Sequence, residues 1–93
     1  MNSSWFVYVL RTSAGHLYTG ITTDLDRRLA EHSGGARGAR SLRGKGPLTL
    51  VFQHPAENRS EASRLEAGIK KLGRLDKERL VAGDQNLLQR LSG

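Results

Sequence analysis

Two short runs of apolar and aromatic residues near the start of the chain have the pattern of paired β-strands. The first run, Trp5 to Leu10, is aromatic, β-branched or aliphatic throughout, which predicts a strand covered on both faces and central in a sheet. Turn-forming residues occupy Thr12 to His16, and a second strand pattern covers Leu17 to Thr22. This spacing predicts a β-hairpin with Tyr8 and Tyr18 on paired strands.

The pattern changes to a helical period directly after the hairpin. Thr23, with Asp26 three residues later, resembles a capping box, and apolar residues at helical spacing carry a predicted first helix from about Asp24 to Ser33. The segment from Gly34 to Gly46 then has five glycines, four basic residues and no acidic residue. This composition predicts a cationic loop. Its basic residues are Arg37, Arg40, Arg43 and Lys45.

The second half of the chain contains one more strand pattern and then helices only. Leu48 to Gln53 is the predicted third strand, and a capping signal at Asn58 begins a helix that ends at Gly73. Two short helices follow, near Asp76 to Ala82 and near Gln85 to Leu91. The predicted order is ββαβαα plus a short C-terminal helix, an α+β chain. Its length of 93 residues predicts a single domain over 1–93.

Polar residues interrupt the apolar face of the first helix. At 100° per residue, Arg28 and His32 project to the same side as Leu29, whereas Arg27 and Glu31 are expected to face solvent. A charged group on an apolar face needs a partner. The helical pattern therefore marks Arg28 and His32 as candidate functional residues.

The second helix carries the same kind of exception at Glu66, which lies between the apolar positions Leu65 and Ile69. Two interpretations remain open. Glu66 and Arg28 could form an internal salt bridge, or Glu66 could bind a metal ion while Arg28 binds phosphate through its guanidinium fork. Tyrosine is common in strands, so the two tyrosines by themselves are compatible with simple packing.

Composition narrows the class of protein. The formal net charge of +6 and the pI near 10.5 suit a polyanionic partner such as nucleic acid. The chain has no cysteine, which excludes disulfides and thiolate metal sites. The apolar run from Trp5 to Leu10 is far shorter than the roughly 20 residues of a membrane span, so we expect no membrane partner and a cytoplasmic location.

Taken in order, these features resemble the GIY-YIG nuclease superfamily. The resemblance rests on Phe6-Val7-Tyr8, on Tyr18-Thr19-Gly20, on Arg28 and His32 of the first helix and on Glu66 of a later helix. It covers nearly the whole chain and is strongest to the short stand-alone bacterial YhbQ-like branch. It implies a GIY-YIG endonuclease-like fold, with a three-stranded antiparallel sheet flanked by helices.

The resemblance also implies roles for these residues in a metal-dependent endonuclease. Glu66 would hold one divalent ion, Mg²⁺ or alternatively Mn²⁺. Tyr8 would act on the attacking water as general base or orienting group, and Tyr18 would bind the water or the scissile phosphate. Arg28 would stabilise charge on the phosphoryl oxygens, and His32 would orient Tyr8 or the phosphate. The sequence departs from the motif where Phe6 replaces its first glycine.

The implied partner is DNA rather than RNA, in branched, damaged or single-stranded form, as a role in DNA repair would require. A protein partner could supply specificity, because we expect no attached DNA-binding domain. Two other functions stay open: a nucleic-acid-binding module without turnover, and a structural domain in which Glu66 and Arg28 pair. The predicted phosphate contacts are Arg37, Arg40, Arg43, Lys45 and Lys70.

Overall fold

A three-stranded antiparallel sheet in the order β2-β1-β3 forms the centre of the fold. The computed structural model describes residues 5–34 and 48–92, and for residues 32–34 and 92 it describes the backbone alone. The elements are β1 (Trp5–Arg11), β2 (Leu17–Thr22), α1 (Leu25–Gly34), β3 (Thr49–Ala56), α2 (Arg59–Lys70), α3 (Arg74–Val81) and α4 (Gln85–Ser92). The predicted α+β class and the order ββαβαα plus a C-terminal helix are therefore confirmed.

The central strand β1 presents different residues to the two faces of the sheet. Val7 and Val9 pack against α2, α3 and α4, whereas Tyr8 and Leu10 pack on the opposite face against α1. We call the second face the α1 face. All four side chains are buried, because β1 has a neighbouring strand on each side and helices on each face.

The register of the sheet decides which residues can meet on the α1 face. Tyr8 lies opposite Gly20 of β2 on one side and opposite Gln53 of β3 on the other. Tyr18, two residues before Gly20, lies opposite Leu10 and shares the same face, since side chains alternate along a strand. The hairpin thus places the two tyrosines on paired strands, as the sequence predicted, and its register brings them to one side of the sheet.

Several predicted boundaries were wrong. The second helix ends at Lys70 rather than at Gly73, and the third begins at Arg74 rather than near Asp76. The third strand continues beyond Gln53 to Ala56. Because β3 is an edge strand, Pro55 is tolerated there although its nitrogen has no hydrogen to donate to a neighbouring strand. The cap of α1 is Asp24 rather than Thr23, since the Asp24 carboxylate accepts a hydrogen bond from the Arg27 amide at 3.1 Å. The predicted cap at Asn58 is confirmed by its 2.8 Å bond from the Glu61 amide.

A network of charged side chains attaches α3 to the hairpin. Arg11, at the end of β1, donates two hydrogen bonds to the Glu78 carboxylate, at 2.6 and 2.9 Å. Arg74 bonds Glu78 at 3.2 Å and the carbonyl of Gly15, in the β1–β2 turn, at 2.9 Å. None of the helices within 5–34 and 48–92 combines the length and apolarity needed to cross a membrane.

Candidate active site

The phenol ring of Tyr8 lies directly across Gly20. A Cβ atom built on Gly20 would lie 2.5 Å from the Tyr8 hydroxyl oxygen and 2.7 Å from Cζ, far inside van der Waals contact. The backbone φ of Gly20 is not positive, so glycine is required here for space rather than for backbone conformation. The motif glycine and the first motif tyrosine therefore form one packing unit across two strands.

Arg28 of α1 reaches the same phenol from the helix above the sheet. Its guanidinium hydrogen-bonds the Tyr8 hydroxyl, and its Nη1 lies 3.2 Å from Oε1 of Glu31. The Arg28 side chain is 31% exposed and that of Glu31 is 21% exposed. Burial lowers the pKa of Arg28, but the bonds to Tyr8 and Glu31 outweigh this effect, so its pKa is raised and the charge is retained.

Tyr18 and Glu66 are close enough to Tyr8 to influence its ionisation. Burial raises the pKa of Tyr8 above its usual value of 10; the hydrogen bond from Arg28 opposes the rise, and the charges of Tyr18 and Glu66 add to it. Only 1% of the Tyr8 surface is exposed. Tyr8 is thus a neutral, buried phenol at neutral pH. Arg28 hydrogen-bonds it, and Tyr18 and Glu66 are near enough to act on its ionisation.

Glu66 of α2 is half-buried, with 24% of its side chain exposed, and its partner is Lys70 one helical turn later, at 3.3 Å. Arg28 pairs with Glu31 instead. The interpretation in which Glu66 and Arg28 form an internal salt bridge is therefore wrong for the described structure. Each of the two residues approaches Tyr8 while its own charge is balanced by a neighbour on its own helix.

The donor set around Glu66 suits one kind of metal site only. Within residues 5–34 and 48–92, no three His, Asp or Glu side chains gather as a metal group. A site enclosed by protein ligands is thus not built by this part of the chain. Mg²⁺, however, keeps several waters and needs only one or two carboxylates, so the single half-buried carboxylate of Glu66 fits a hydrated Mg²⁺ or Mn²⁺ ion.

Several predicted site residues cannot be compared with the structure. His32 belongs to α1, but its side chain is outside the described part. The four cations of the predicted loop, Arg37, Arg40, Arg43 and Lys45, lie outside the described residues.

Glu31 is a polar residue of the site that the sequence pattern misplaced. The helical wheel directs it to solvent, yet it is half-buried beside Arg28. Its spacing of three residues from Arg28 was the signal that could have found it, because residues at i and i+3 are neighbours on a helix.

Comparison with known protein families defines the family of the chain. Residues 4–79 match the model of the GIY-YIG catalytic domain, and the chain belongs to this family, which is a nuclease superfamily. The sheet, the motif residues on β1 and β2 and the Glu66 helix fall within the matched range, whereas α4 lies beyond it.

Within the family, its relatives are short bacterial proteins of the UPF0213 group. The chain is 55% identical over 87 residues to the UPF0213 protein SG0387 of Sodalis glossinidius, covering 94% of this chain and 80% of the relative. It is 53% identical over 90 residues to a UPF0213 protein of Yersinia pestis, covering 97% of this chain and 94% of the relative. The predicted short stand-alone bacterial branch is confirmed.

Solved structures support the same assignment. The solution structure of the UPF0213 protein BH0048 from Bacillus halodurans is 41% identical, covers 99% of this chain and 98% of its own, and has a TM-score of 0.56. The solution structure of the protein EF2693 from E. faecalis is 38% identical over 88% of both chains, with a TM-score of 0.61. This chain therefore shares its fold with other small proteins of the group.

Proposed function

We propose that this chain is a metal-dependent endonuclease that hydrolyses phosphodiester bonds in DNA. The observation that carries the proposal is the hydrogen bond from Arg28 to the buried phenol of Tyr8, with Tyr18 on the same face of the sheet and Glu66 near enough to raise the Tyr8 pKa. These four residues come from two strands and two helices that are distant in sequence. Packing of the core alone would not require a tyrosine, an arginine and a carboxylate at the same point.

Arg28 is the group best suited to bind the scissile phosphate. A guanidinium has five N–H donors in a planar fork that matches phosphate oxygens. Because the Arg28 side chain is half-buried, its charge is less screened than that of a surface arginine. In the proposed reaction Arg28 stabilises the negative charge that grows on the phosphoryl oxygens as the bond breaks.

Tyr8 and Tyr18 would orient the attacking water. Hydrolysis joins the oxygen of water to phosphorus, breaks the bond to one sugar oxygen and transfers a proton from the water to the departing oxygen. With its pKa raised by burial, Tyr8 is ionised in fewer than about one molecule in a thousand at pH 7. We therefore assign it as a neutral phenol that accepts a hydrogen bond from the water.

The burial of Tyr8 adds a condition to this role. Water can reach its hydroxyl only after a neighbouring side chain moves, because 1% of the residue is exposed. Glu66 would hold a Mg²⁺ or Mn²⁺ ion, which would supply positive charge to offset the negative charge of the phosphate.

The other proposed contacts concern the nucleic acid beyond the scissile bond. Lys70 lies beside Glu66 and is largely exposed, so it could bind a flanking phosphate. The cationic loop would contact the DNA backbone, and a protein partner or the form of the substrate, such as branched or damaged DNA, would supply specificity. A cytoplasmic location agrees with such a substrate.

Cleavage assays with and without Mg²⁺ or Mn²⁺ test the proposal, with single-stranded, double-stranded, branched and damaged DNA and RNA as substrates. Glu66→Ala and Tyr8→Phe are each expected to lower the cleavage rate roughly a hundredfold. The exposed Glu57 precedes α2, and Glu57→Gln is the matched control expected to cut like wild type. Equal cleavage by all four proteins would identify a contaminant and reject the proposal.

The second candidate function is a nucleic-acid-binding module without turnover. It is favoured by the net charge of +6 and by the internal pairing of both Arg28 and Glu66. Salt-dependent binding on every substrate, with no metal-dependent cutting on any of them, would support this alternative.

A further inference from the structure

The guanidinium of Arg28 is held from two directions. The Tyr8 hydroxyl accepts a hydrogen bond from below, and the carboxylate of Glu31 lies 3.2 Å from Nη1 on the same helix. We propose that Glu31 is a positioning residue, which orients the guanidinium of Arg28 for phosphate and balances its charge while the site is empty. This inference rests on the proposed nuclease function, because it assigns the residue that prepares Arg28 for that reaction.

The geometry of the pair distinguishes it from an ordinary surface salt bridge. Arg79 and Asp76 have the same i, i+3 spacing on α3, but their side chains are 59% and 44% exposed, against 31% and 21% for Arg28 and Glu31. Exposed pairs at this spacing are loosely held and contribute little to stability. The Arg28–Glu31 pair is half as exposed, and its arginine also bonds a buried phenol.

Glu31 would act by fixing the orientation of the Arg28 guanidinium. An arginine side chain loses conformational freedom when it binds, and a guanidinium already held at one nitrogen loses less in the complex. Glu31 occupies a donor on Nη1, which leaves further N–H groups of the fork for a phosphate oxygen. Its negative charge also lowers the cost of keeping Arg28 partly out of water before substrate arrives.

Motion of the Arg28 guanidinium tests the proposal without any need for catalysis. We would measure the NMR order parameter of the Arg28 Nε–Hε bond at neutral pH in Glu31→Ala, in Glu31→Gln and in Asp26→Asn. Asp26 is an exposed acid on the same helix. Arg11, which is held by Glu78 of α3, is the internal reference for general loosening.

The expected order parameter of Arg28 falls to about 0.6 or lower in Glu31→Ala. Glu31→Gln keeps an oxygen that accepts from Nη1 and should recover most of the loss, and Asp26→Asn should match wild type. An unchanged Arg28 in Glu31→Ala would overturn the proposal. An equal fall in the order parameters of Arg28 and Arg11 would also overturn it, because Glu31 would then affect only the stability of the fold.

Steady-state kinetics provide the second test. If Glu31 positions Arg28 for the transition state, Glu31→Ala lowers kcat roughly tenfold with KM within about twofold, and Glu31→Gln restores most of kcat. Loss confined to KM, or no loss in either variant, would contradict the assignment. A wild type that cuts no substrate would reject the nuclease proposal, while the order parameters would still decide whether Glu31 positions Arg28.

Discussion

At the scale of single residues, the site depends on one missing side chain. Gly20 leaves the space that the Tyr8 ring fills, and the ring then presents its hydroxyl to Arg28. Because Tyr8 is buried in a sheet with strands on both sides, it has little freedom to move away from an added methyl group. A change at Gly20 should therefore affect both stability and catalysis.

Gly20→Ala is expected to lower the free energy of unfolding by about 1 to 3 kcal/mol, the usual cost of overpacking. It should also lower any cleavage activity, because the displaced phenol no longer meets Arg28. Chemical denaturation and the cleavage assay measure the two effects.

The control for this substitution is Gly73→Ala. A Cβ atom at Gly73 meets nothing within 4 Å, and its φ of −70° suits alanine. The preference for glycine over alanine at an N-cap costs roughly 0.5 to 1 kcal/mol and is offset by the lower chain entropy of the unfolded state. If Gly20→Ala and Gly73→Ala had equal unfolding free energies, the proposed role of space at Gly20 would be refuted.

At the scale of elements, charged pairs attach helices to one another and to the sheet. Glu78 connects α3 to β1 through Arg11, and Arg74 extends the connection to the β1–β2 turn. These hydrogen bonds, first those from Arg11, lower the pKa of Glu78 from 4.5 to about 2. The position of the hairpin that carries Tyr8 is therefore linked to the ionisation of one carboxylate.

This link predicts a specific acid sensitivity. Because the folded pKa of Glu78 lies below the unfolded one, the unfolded chain binds more protons between the two values. The stabilisation is complete above about pH 4.5 and is lost as the pH falls through about 2. Glu78→Gln should flatten this part of the stability curve in urea titrations at several pH values, whereas Glu57→Gln should retain it. Parallel curves for wild type and Glu78→Gln would contradict the prediction.

On α2, Lys70 competes with any cation for the Glu66 carboxylate, since the two lie 3.3 Å apart. Lys70→Ala is expected to tighten Mn²⁺ binding by a factor between about 1.5 and 5, the range that corresponds to one partly exposed ion pair. Lys71→Ala removes an equal charge from the next position and should have a smaller effect. Isothermal titration calorimetry measures both. Equal affinities in wild type and Lys70→Ala would show that the pair does not limit metal binding.

At the scale of the whole molecule, the sheet separates two different surfaces. Its α1 face holds Tyr8, Tyr18 and the helix that carries Arg28, whereas α2, α3 and α4 cover the other face with the larger apolar core. A polyanion attracted by the net charge of +6 could approach from any side, but only contact on the α1 face would bring a phosphate to Arg28.

Substitutions at two exposed glutamines can distinguish DNA binding on the α1 face from DNA binding on the other side of the sheet. Gln53 of β3 lies opposite Tyr8, whereas Gln89 lies on α4, which covers the other side of the sheet. Gln53→Glu and Gln89→Glu change the net charge equally, yet Gln53→Glu should weaken DNA binding roughly fivefold and Gln89→Glu much less. Fluorescence anisotropy at fixed salt measures the difference. Equal weakening would mean that net charge alone governs binding.

Much of the fold could be predicted because it depends on local patterns. The aromatic and β-branched run of β1, the turn after it and the Asn58 cap each depend on a few neighbouring residues. The sequence is therefore sufficient to predict these elements. The extent of β3 could not be predicted, because Pro55 is acceptable only on an edge strand, and the order of strands is a property of the sheet.

The sequence by itself determined the α+β class, the family and the polar exceptions Arg28 and Glu66, since periodicity and motif order are written along the chain. Only the tertiary structure decided their partners. It paired Arg28 with Glu31 and Glu66 with Lys70, and it set the Tyr8 ring across Gly20. The reason is physical: a helical wheel specifies direction from one axis, whereas burial, contact and pKa depend on what the rest of the fold brings to that side.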